Sequence, residues 1–265
     1  MPNEEKISRA AGLLLAARHA IAFTGAGIST PSGIPDFRSP QSGLWAKNDP
    51  MVVASIHTFR TEPSVFYEWM RPTARLFAQA RPNAAHLALA ELEELGLLKA
   101  VITQNIDNLH QMAGSRRVLE LHGHLREAVC IRCHRTVSAE GLLPESMLSG
   151  QVPYCDACGG ALKPAAVFMG EPLPMDVFSD AEREIQACDV MLVVGSSLTV
   201  VPAATLPLVA CRRGAKLIIV NLQETTVDSI AAAVIHEDVA EALPRIVSAC
   251  RERMSQGAIG GPARR

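Results

Sequence analysis

Four of the seven cysteines stand in two pairs with the spacing Cys-x-x-Cys, which is typical of metal-binding knuckles. The pairs, Cys130 with Cys133 and Cys155 with Cys158, are separated by 21 residues. Each pair can point two thiolates at one tetrahedral ion, and two pairs complete a site with no open position. The sequence therefore predicts a structural zinc site. The alternative, a redox dithiol, would not need a second pair.

A glycine turn follows the short apolar run at residues 19–24 and could hold a phosphate group. Glycines let the backbone approach a pyrophosphate, and the N-terminus of a following helix supplies N–H donors. Thr30 replaces the third glycine of the dinucleotide fingerprint, so a plain tight turn stays an alternative. In the next loop, arginine could bind phosphate and phenylalanine could shield a reacting ring, although a surface loop is equally compatible. The candidates are Gly25, Ala26, Gly27, Asp36, Phe37 and Arg38.

Further polar side chains follow other apolar runs, where strands are predicted to end. His122 comes just after one such run, and a histidine at the mouth of a crevice is a plausible general base. A surface turn histidine, capping residues and ordinary turn residues are the alternatives at these positions. The remaining candidates are Gln104, Asn105, Ile106, Asp107, Gly195, Ser196, Ser197 and Asn221.

Apolar runs alternate with amphipathic segments along most of the chain, which indicates an α/β fold. The run at 189–194, the helix predicted near 203–212 and the run at 216–220 form a βαβ unit. We therefore expect a Rossmann-like, doubly wound parallel sheet with an inserted small zinc-binding module and a helical insertion. The predicted division is 1–43, 82–125 and 163–265 for the nucleotide-binding domain, 44–81 for the helical insertion, and 126–162 for the zinc-binding module.

Composition argues against several other classes of protein. The formal net charge is −2 and no long basic run occurs, so we expect no direct nucleic-acid binding. The apolar stretch at 13–23 is short and interrupted by Arg18 and His19, so no membrane association is expected. No signal peptide is apparent, which favours a cytoplasmic protein with reduced thiols.

Taken together, the motifs resemble the sirtuins and occur in the sirtuin order. They are GAGISTPSGIPDFRSP at 25–40, TQNIDNLH at 103–110, ELHG at 120–123, the two cysteine pairs, AVFMGEPLP at 166–174, GSSLTVVPA at 195–203 and IVNL at 219–222. The resemblance extends over roughly residues 7 to 245, which is nearly the whole chain. It implies an NAD-dependent lysine deacylase with a Rossmann-like catalytic core.

The resemblance also implies individual roles. His122 would be the catalytic base, Gln104 would meet a ribose of NAD, and the loop with Asp36, Phe37 and Arg38 would close over NAD. Asn105, Ile106 and Asp107 would form the nicotinamide pocket. Gly195, Ser196, Ser197, Asn221 and Leu222 would hold phosphate and adenosine. The backbone of Val167, Phe168, Met169, Gly170 and Glu171 would pair with the substrate peptide, and Phe168 would line the acyl-lysine tunnel.

The implied reaction transfers the acyl group of an acyl-lysine protein to ADP-ribose and releases nicotinamide and O-acyl-ADP-ribose. Sirtuins that remove acidic acyl groups carry Tyr-x-x-Arg in the segment that aligns with residues 66–70, and here Met70 stands at the arginine position. An unpaired buried carboxylate is costly, so acetyl or longer apolar acyl groups are expected. Met169 stands where a second aromatic residue often occurs, which affects the expected width of the tunnel.

Three rival functions stay open. ADP-ribosyl transfer or NAD hydrolysis would use the same fold, but His122 serves the acyl-transfer half of the reaction. A non-enzymatic zinc-ribbon binding module would not need a nucleotide crevice. A Rossmann dehydrogenase would carry glycine in place of Thr30. A monomer is the expected oligomeric state.

Overall fold

The computed structural model describes residues 3–36, 43–45 and 48–259, and it contains two sheets. The larger sheet has six parallel strands, the smaller has three antiparallel strands, and the bounds of all nine follow chain order. They are β1 Ala20–Thr24, β2 Ala100–Thr103, β3 Val118–Glu120, β4 Gly123–Cys130, β5 Thr136–Ser138, β6 Leu162–Ala166, β7 Val190–Val194, β8 Lys216–Val220 and β9 Ala233–Ile235.

Eleven α-helices accompany these strands in the described residues. They are α1 Asn3–Ala16, α2 Pro50–Val53, α3 Ile56–Thr61, α4 Ser64–Met70, α5 Ala74–Gln79, α6 Ala84–Glu94, α7 Leu109–Met112, α8 Leu142–Ser149, α9 Met175–Ala187, α10 Leu206–Arg212 and α11 Val239–Ile259. The helix predicted near 203–212 is a short 3-10 turn at Ala203–Thr205 followed by α10, with Pro207 early in α10.

The parallel sheet has the strand order β3-β2-β1-β7-β8-β9, which is the Rossmann order and confirms the predicted fold class. Successive side chains of its strands alternate between two apolar layers, as the period of a strand requires. Ala22 and Leu192 pack in one layer with helices α1, α6 and α11. Phe23 and Met191 pack in the other layer with α9 and α10. Helices therefore cover both faces of the sheet.

A third apolar cluster joins helices α3 to α5 to the small antiparallel sheet and to α8. Phe59, Phe66 and Phe168 contact one another there, with ring centroids 4.7 to 5.9 Å apart. The hydroxyl of the fully buried Tyr67 donates a hydrogen bond to the Leu162 carbonyl at 2.7 Å. The helical insertion and the cysteine-bearing module therefore share one core. The small sheet extends from Gly123 to Ala166, and the predicted domain bounds stay a prediction.

Within the described ranges, no helix is both long enough and apolar enough to cross a membrane.

Candidate active site

A cavity in the described part of the chain lies where the order of the parallel sheet reverses, between β1 and β7. From this point the chain proceeds outward to β2 and β3 on one side and to β8 and β9 on the other. The loops that follow the carboxyl ends of neighbouring parallel strands diverge there and leave a crevice that accepts ligands. The cavity has a volume of about 560 Å³, and its walls include residues that follow β1, β2, β3, β7 and β8.

Two glycine turns form the floor of this crevice by packing against each other. The amide of Gly27 donates to the Gly195 carbonyl at 2.8 Å, and a Cβ placed on Gly27 would lie 2.8 Å from the same oxygen. Gly195 has a φ of +58°, and a Cβ there would meet the Ile28 nitrogen at 2.2 Å. These glycines are therefore required by the contact between turns. The helix expected after the first turn is absent from the described chain there; two short 3-10 turns, Ala26–Ile28 and Thr30–Ser32, stand in its place.

Asn105 is held by a chain of side-chain hydrogen bonds. Its Nδ2 donates to the Gly25 carbonyl at 3.2 Å and to Ser29 Oγ at 3.0 Å. The Ser29 hydroxyl in turn donates to the Asp107 carboxylate at 2.6 Å, and the amide of Leu109 donates to the other carboxylate oxygen. Burial raises the pKa of Asp107, and the hydrogen bonds from Ser29 and Leu109 oppose this rise. The described lining of the cavity includes Asn105 and omits Asp107, so the carboxylate supports the amide from behind.

A second buried chain reaches the backbone of Asn105 through two threonines. His110 Nε2 lies 2.9 Å from Thr24 Oγ1, and the Thr24 hydroxyl donates to Thr103 Oγ1 at 2.8 Å. Thr103 Oγ1 also accepts from the amide of Asn105 at 3.0 Å. Because the Thr24 proton goes to Thr103, His110 must donate from Nε2. Burial lowers the pKa of His110 to about 3, so its ring is neutral.

His122 is half-buried at the cavity wall, just after β3. Its Nδ1 lies 3.0 Å from the carbonyl oxygen of Gln104, which can only accept, so Nδ1 carries the proton in the neutral ring. The lone pair of a neutral imidazole then resides on Nε2. The side chain of Gln104 points to the other turn, and its Nε2 donates to Ser196 Oγ at 3.0 Å. Gln104 therefore makes both contacts: its backbone carbonyl orients His122, and its side-chain amide reaches the turn after β7.

The end of the cavity beside the helical insertion is apolar. Its lining includes Phe66, Trp69, Met70, Phe77 and Phe168. Met70 is buried at 5% exposure. Tyr67 is absent from the described lining, and its hydroxyl is committed to the Leu162 carbonyl. The described lining of the cavity therefore contains neither a tyrosine nor an arginine.

The loop at 167–171 lies beside this apolar end, and much of its backbone is already paired. The amide of Val167 donates to the His122 carbonyl at 2.8 Å. Met169 forms a parallel bridge with Ser55: its amide donates to the Ala54 carbonyl at 2.9 Å, and its carbonyl accepts from Ile56 at 3.0 Å. A peptide strand therefore has only part of this loop to pair with.

The four paired cysteines converge at the far end of the small sheet. Their sulfur atoms all lie within 4.8 Å of one another, with 3.4 Å between Cys130 and Cys158 and 3.8 Å between Cys133 and Cys155. A tetrahedron with metal–sulfur bonds of about 2.3 Å has edges of about 3.8 Å. The cluster is compatible with a structural zinc ion, as the sequence predicts.

The family model described as the Sir2 family matches residues 25–202. The chain belongs to the Sir2 family. It is 48% identical over 255 residues to NAD-dependent protein deacylase 2 of Archaeoglobus fulgidus, covering 96% of this chain and 99% of that protein. It is also 48% identical over 252 residues to an NAD-dependent protein deacetylase of Caldivirga maquilingensis, covering 94% of this chain and 95% of that protein.

Solved structures of Sir2 proteins superpose closely on the chain. One contains a deacetylated p53 peptide with 3′-O-acetyl-ADP-ribose; it has a TM-score of 0.85 and 44% identity, covering 94% of this chain and 98% of that chain. Another is Sir2Af2 bound to a myristoylated histone peptide, with a TM-score of 0.81 and 42% identity, covering 96% of this chain and 99% of that chain. The resemblance drawn from the sequence is confirmed at the level of family and fold.

Most residues singled out in the sequence meet at this one Sir2 cavity. Phe37 and Arg38 lie outside the described residues, and Asp107 stands behind the wall. Sequence reasoning missed Ser29, which lies inside the quoted glycine motif, and Phe77 of the apolar wall, whereas it had already singled out Phe168 and Met70. The residues that line the cavity are Gly25, Ala26, Gly27, Asp36, Gln104, Asn105, Ile106, His122, Val167, Phe168, Met169, Gly170, Glu171, Gly195, Ser196, Ser197, Asn221 and Leu222.

Proposed function

We propose that this chain removes acetyl and longer apolar acyl groups from lysine side chains of proteins, with NAD as co-substrate. One observation carries the proposal: a single cavity joins the glycine turns at the switch point of a Rossmann sheet to an apolar, aromatic-walled end, and His122 lines it. The names of the relatives, deacylase and deacetylase with NAD dependence, support the same reaction. The relative with 3′-O-acetyl-ADP-ribose supports an acyl-ADP-ribose product.

The residues at the carboxyl ends of β1, β2, β7 and β8 fit a dinucleotide. Close-packed glycine turns expose backbone to a pyrophosphate, and Ser196 and Asn221 offer polar side chains beside them. When bound there, NAD supplies the ADP-ribose that accepts the acyl group. Asn105, Ile106 and Asp107 form the nicotinamide end in this proposal, with Asp107 acting through Ser29 and Asn105.

His122 is the general base in the proposed reaction. Its Nδ1 proton is held by the Gln104 carbonyl, which orients the ring and leaves Nε2 as the basic atom. Nε2 would accept the proton of a ribose hydroxyl, so that the hydroxyl oxygen could bond to the acyl carbon. Nicotinamide would leave the ribose as the acyl oxygen bonds to it, and water would then release the lysine nitrogen from the acyl carbon. The apolar wall at Phe168 and Ile106 keeps water from the reacting sugar.

The substrate peptide adds as an extended strand beside the loop at 167–171. The backbone of Met169 is already bridged to Ser55. The peptide therefore pairs with backbone groups of Val167 and Gly170 that this bridge does not use. The acyl chain enters the apolar end, where Met70 offers no charge to a succinyl or malonyl carboxylate. The relative solved with a myristoylated histone peptide supports acceptance of long apolar chains.

Zinc at the four cysteines has a structural role in this proposal, because four thiolates leave no open coordination position. We further infer a monomeric, cytoplasmic protein that acts without binding nucleic acid directly. The near-neutral net charge of −2 supports the last point. The proposed division keeps 126–162 as the zinc-binding module and 44–81 as the helical insertion.

The test is mass spectrometry of an acetyl-lysine peptide incubated with the protein, with and without NAD. Loss of the acetyl group only with NAD, together with O-acetyl-ADP-ribose, is the expected result. His122→Ala should abolish product while NAD still binds, and His57→Ala, at an exposed histidine of α3, should not. NAD consumption without deacylation would point instead to ADP-ribosyl transfer, and wild-type rates in His122→Ala would overturn the assignment of the base.

A further inference from the structure

A buried lysine stands in β6, the strand that leads into the loop proposed to bind the peptide, and the proposed reaction makes no use of it. Lys163 lies in β6 and is 7% exposed. A buried ammonium is costly unless it is paired and fully hydrogen-bonded. Burial lowers the pKa of Lys163, and the nearby Glu171 carboxylate opposes that effect. The charge must therefore have partners that repay its desolvation.

Three oxygen atoms surround the ammonium, one for each of its three N–H donors. Nζ lies 2.5 Å from the Ala166 carbonyl, 3.1 Å from the Pro164 carbonyl and 2.9 Å from Glu171 Oε2. All three acceptors belong to the same stretch of chain, within eight residues of Lys163. The ammonium therefore fixes the course of this loop and does not connect distant elements.

The same carboxylate oxygen reaches the residue that forms the tunnel wall. Glu171 Oε2 accepts from the amide of Phe168 at 2.8 Å, and the amide of Glu171 donates to the Phe168 carbonyl at 2.9 Å. The Lys163 ammonium lies 4.4 Å from the centroid of the Phe168 ring, which is within the range of a cation–π contact. The side-chain pair thus holds the amide and the ring of Phe168, while the backbone amide of Glu171 holds the Phe168 carbonyl.

We infer that the Lys163–Glu171 pair is a positioning device that sets the peptide-binding loop and the Phe168 ring in the arrangement that receives acyl-lysine. The inference rests on the proposed function. Lys163 acts through Phe168 and the loop backbone, and it touches neither NAD nor the reacting carbonyl in this scheme. The pair closes a local loop, so its loss should affect binding of the peptide more than binding of NAD, whose proposed contacts lie on other strands.

The experiment compares four variants with the wild type in steady-state deacetylation. Lys163→Met removes the charge at similar volume, Glu171→Gln keeps an acceptor oxygen but removes the negative charge, and the double variant removes both. Arg251→Met is the control, because it breaks the Arg251–Glu91 ion pair at an exposed site on another face. KM for the acetyl-lysine peptide, KM for NAD and kcat are measured for each, with zinc content and melting temperature.

We expect each single variant to raise the peptide KM about ten-fold, which corresponds to the loss of one charged hydrogen bond. The KM for NAD should stay within about two-fold of the wild-type value. The peptide KM of the double variant should be no higher than that of the more impaired single variant, because the two groups act as a unit. Arg251→Met should leave the peptide KM unchanged. A lowered melting temperature with an unchanged peptide KM would assign the pair a purely structural role and overturn the inference.

Three further outcomes also bear on the inference. Equal rises of both KM values would indicate general loosening and would also overturn the inference. If Lys163→Met does not fold, the peptide KM of Glu171→Gln decides the inference alone. Glu171 is more exposed than Lys163, and the oxygen of the substituted glutamine can still accept from the Phe168 amide. A wild-type protein without deacetylase activity would refute the proposed function, which is a different result from an active enzyme whose variants bind peptide normally.

Discussion

The two buried histidines behind Asn105 should make the stability of the protein depend on pH in a defined way. His86 and His110 have ring centroids 5.0 Å apart, and both are enclosed by the fold. Burial lowers the pKa of His86 to about 4 and that of His110 to about 3. Both folded-state pKa values lie below that of an exposed histidine. The stability they contribute is therefore present above about pH 6.5 and is lost as pH falls toward the folded-state values.

The magnitude for His110 follows from its unfolded-state pKa of about 6.5. At about pH 5 the unfolded chain binds a proton at this residue and the folded chain does not. Because this pH lies about 1.5 units below the unfolded-state pKa, this difference lowers the free energy of unfolding by about 2 kcal/mol. At about pH 7.5 the same effect is close to zero. The result depends little on the exact folded-state value, because about pH 5 lies well above the folded-state pKa of about 3.

The perturbation is His110→Gln, because a glutamine amide can still donate to Thr24 Oγ1 but does not titrate. Unfolding free energies from urea titrations are compared for the wild type and the variant at about pH 7.5 and about pH 5. Whatever the substitution costs by itself cancels in the difference between the two pH values. The wild type should lose about 2 kcal/mol more than the variant on acidification. Equal losses in the two proteins would refute a neutral, buried His110.

Three further perturbations test other parts of the structure. Gly27→Ala would place a Cβ 2.8 Å from the Gly195 carbonyl and should lower the unfolding free energy by about 1–3 kcal/mol, so an unchanged melting temperature would count against the close packing of the turns. Cys155→Ser should release zinc and lower the melting temperature, and a variant that keeps a full equivalent of zinc by metal analysis would contradict the four-thiolate site. Met70→Arg should reduce kcat/KM on long-chain acyl peptides about ten-fold, because it buries a cation in an apolar wall. It should not create desuccinylase activity, because the Tyr67 hydroxyl is committed to the Leu162 carbonyl. Competition between acyl peptides, followed by mass spectrometry, measures both effects.

The sequence could predict most strands of the parallel sheet and the residues that follow them, because both depend on local pattern, but it did not predict β9 or the strands of the small sheet. Buried apolar runs end where the parallel strands end, and the carboxyl ends of parallel strands share one edge of the sheet. That geometry suffices to bring His122, Gln104 and Asn221 to one cavity. The cysteine spacing is equally local, so the convergence of the four thiols was also accessible.

Contacts between segments distant in the chain were not accessible in the same way. The close approach of Gly27 to Gly195 joins residues far apart in sequence. From local pattern alone, the first glycine turn could be interpreted only as a phosphate site or as a plain tight turn. Nothing in the local sequence around His86 or His110 indicates that α6 and α7 bring the two rings together. Nothing local marks Lys163 either, since the oxygen atoms around its ammonium are brought there by the fold.

Asn105 illustrates what these distant contacts achieve. Both hydrogens of its Nδ2 are used, one by the Gly25 carbonyl and one by Ser29, while Thr103 accepts from its amide. In the described chain the side-chain oxygen Oδ1 is then the group that can meet a ligand, and an oxygen can only accept. A ligand group with N–H donors, such as a carboxamide, satisfies that requirement, whereas a carboxylate does not. Because the Gly25 carbonyl and Ser29 hold the side-chain amide and Thr103 holds the backbone, we expect this selectivity to be set before any ligand arrives and to cost no reorganisation on binding.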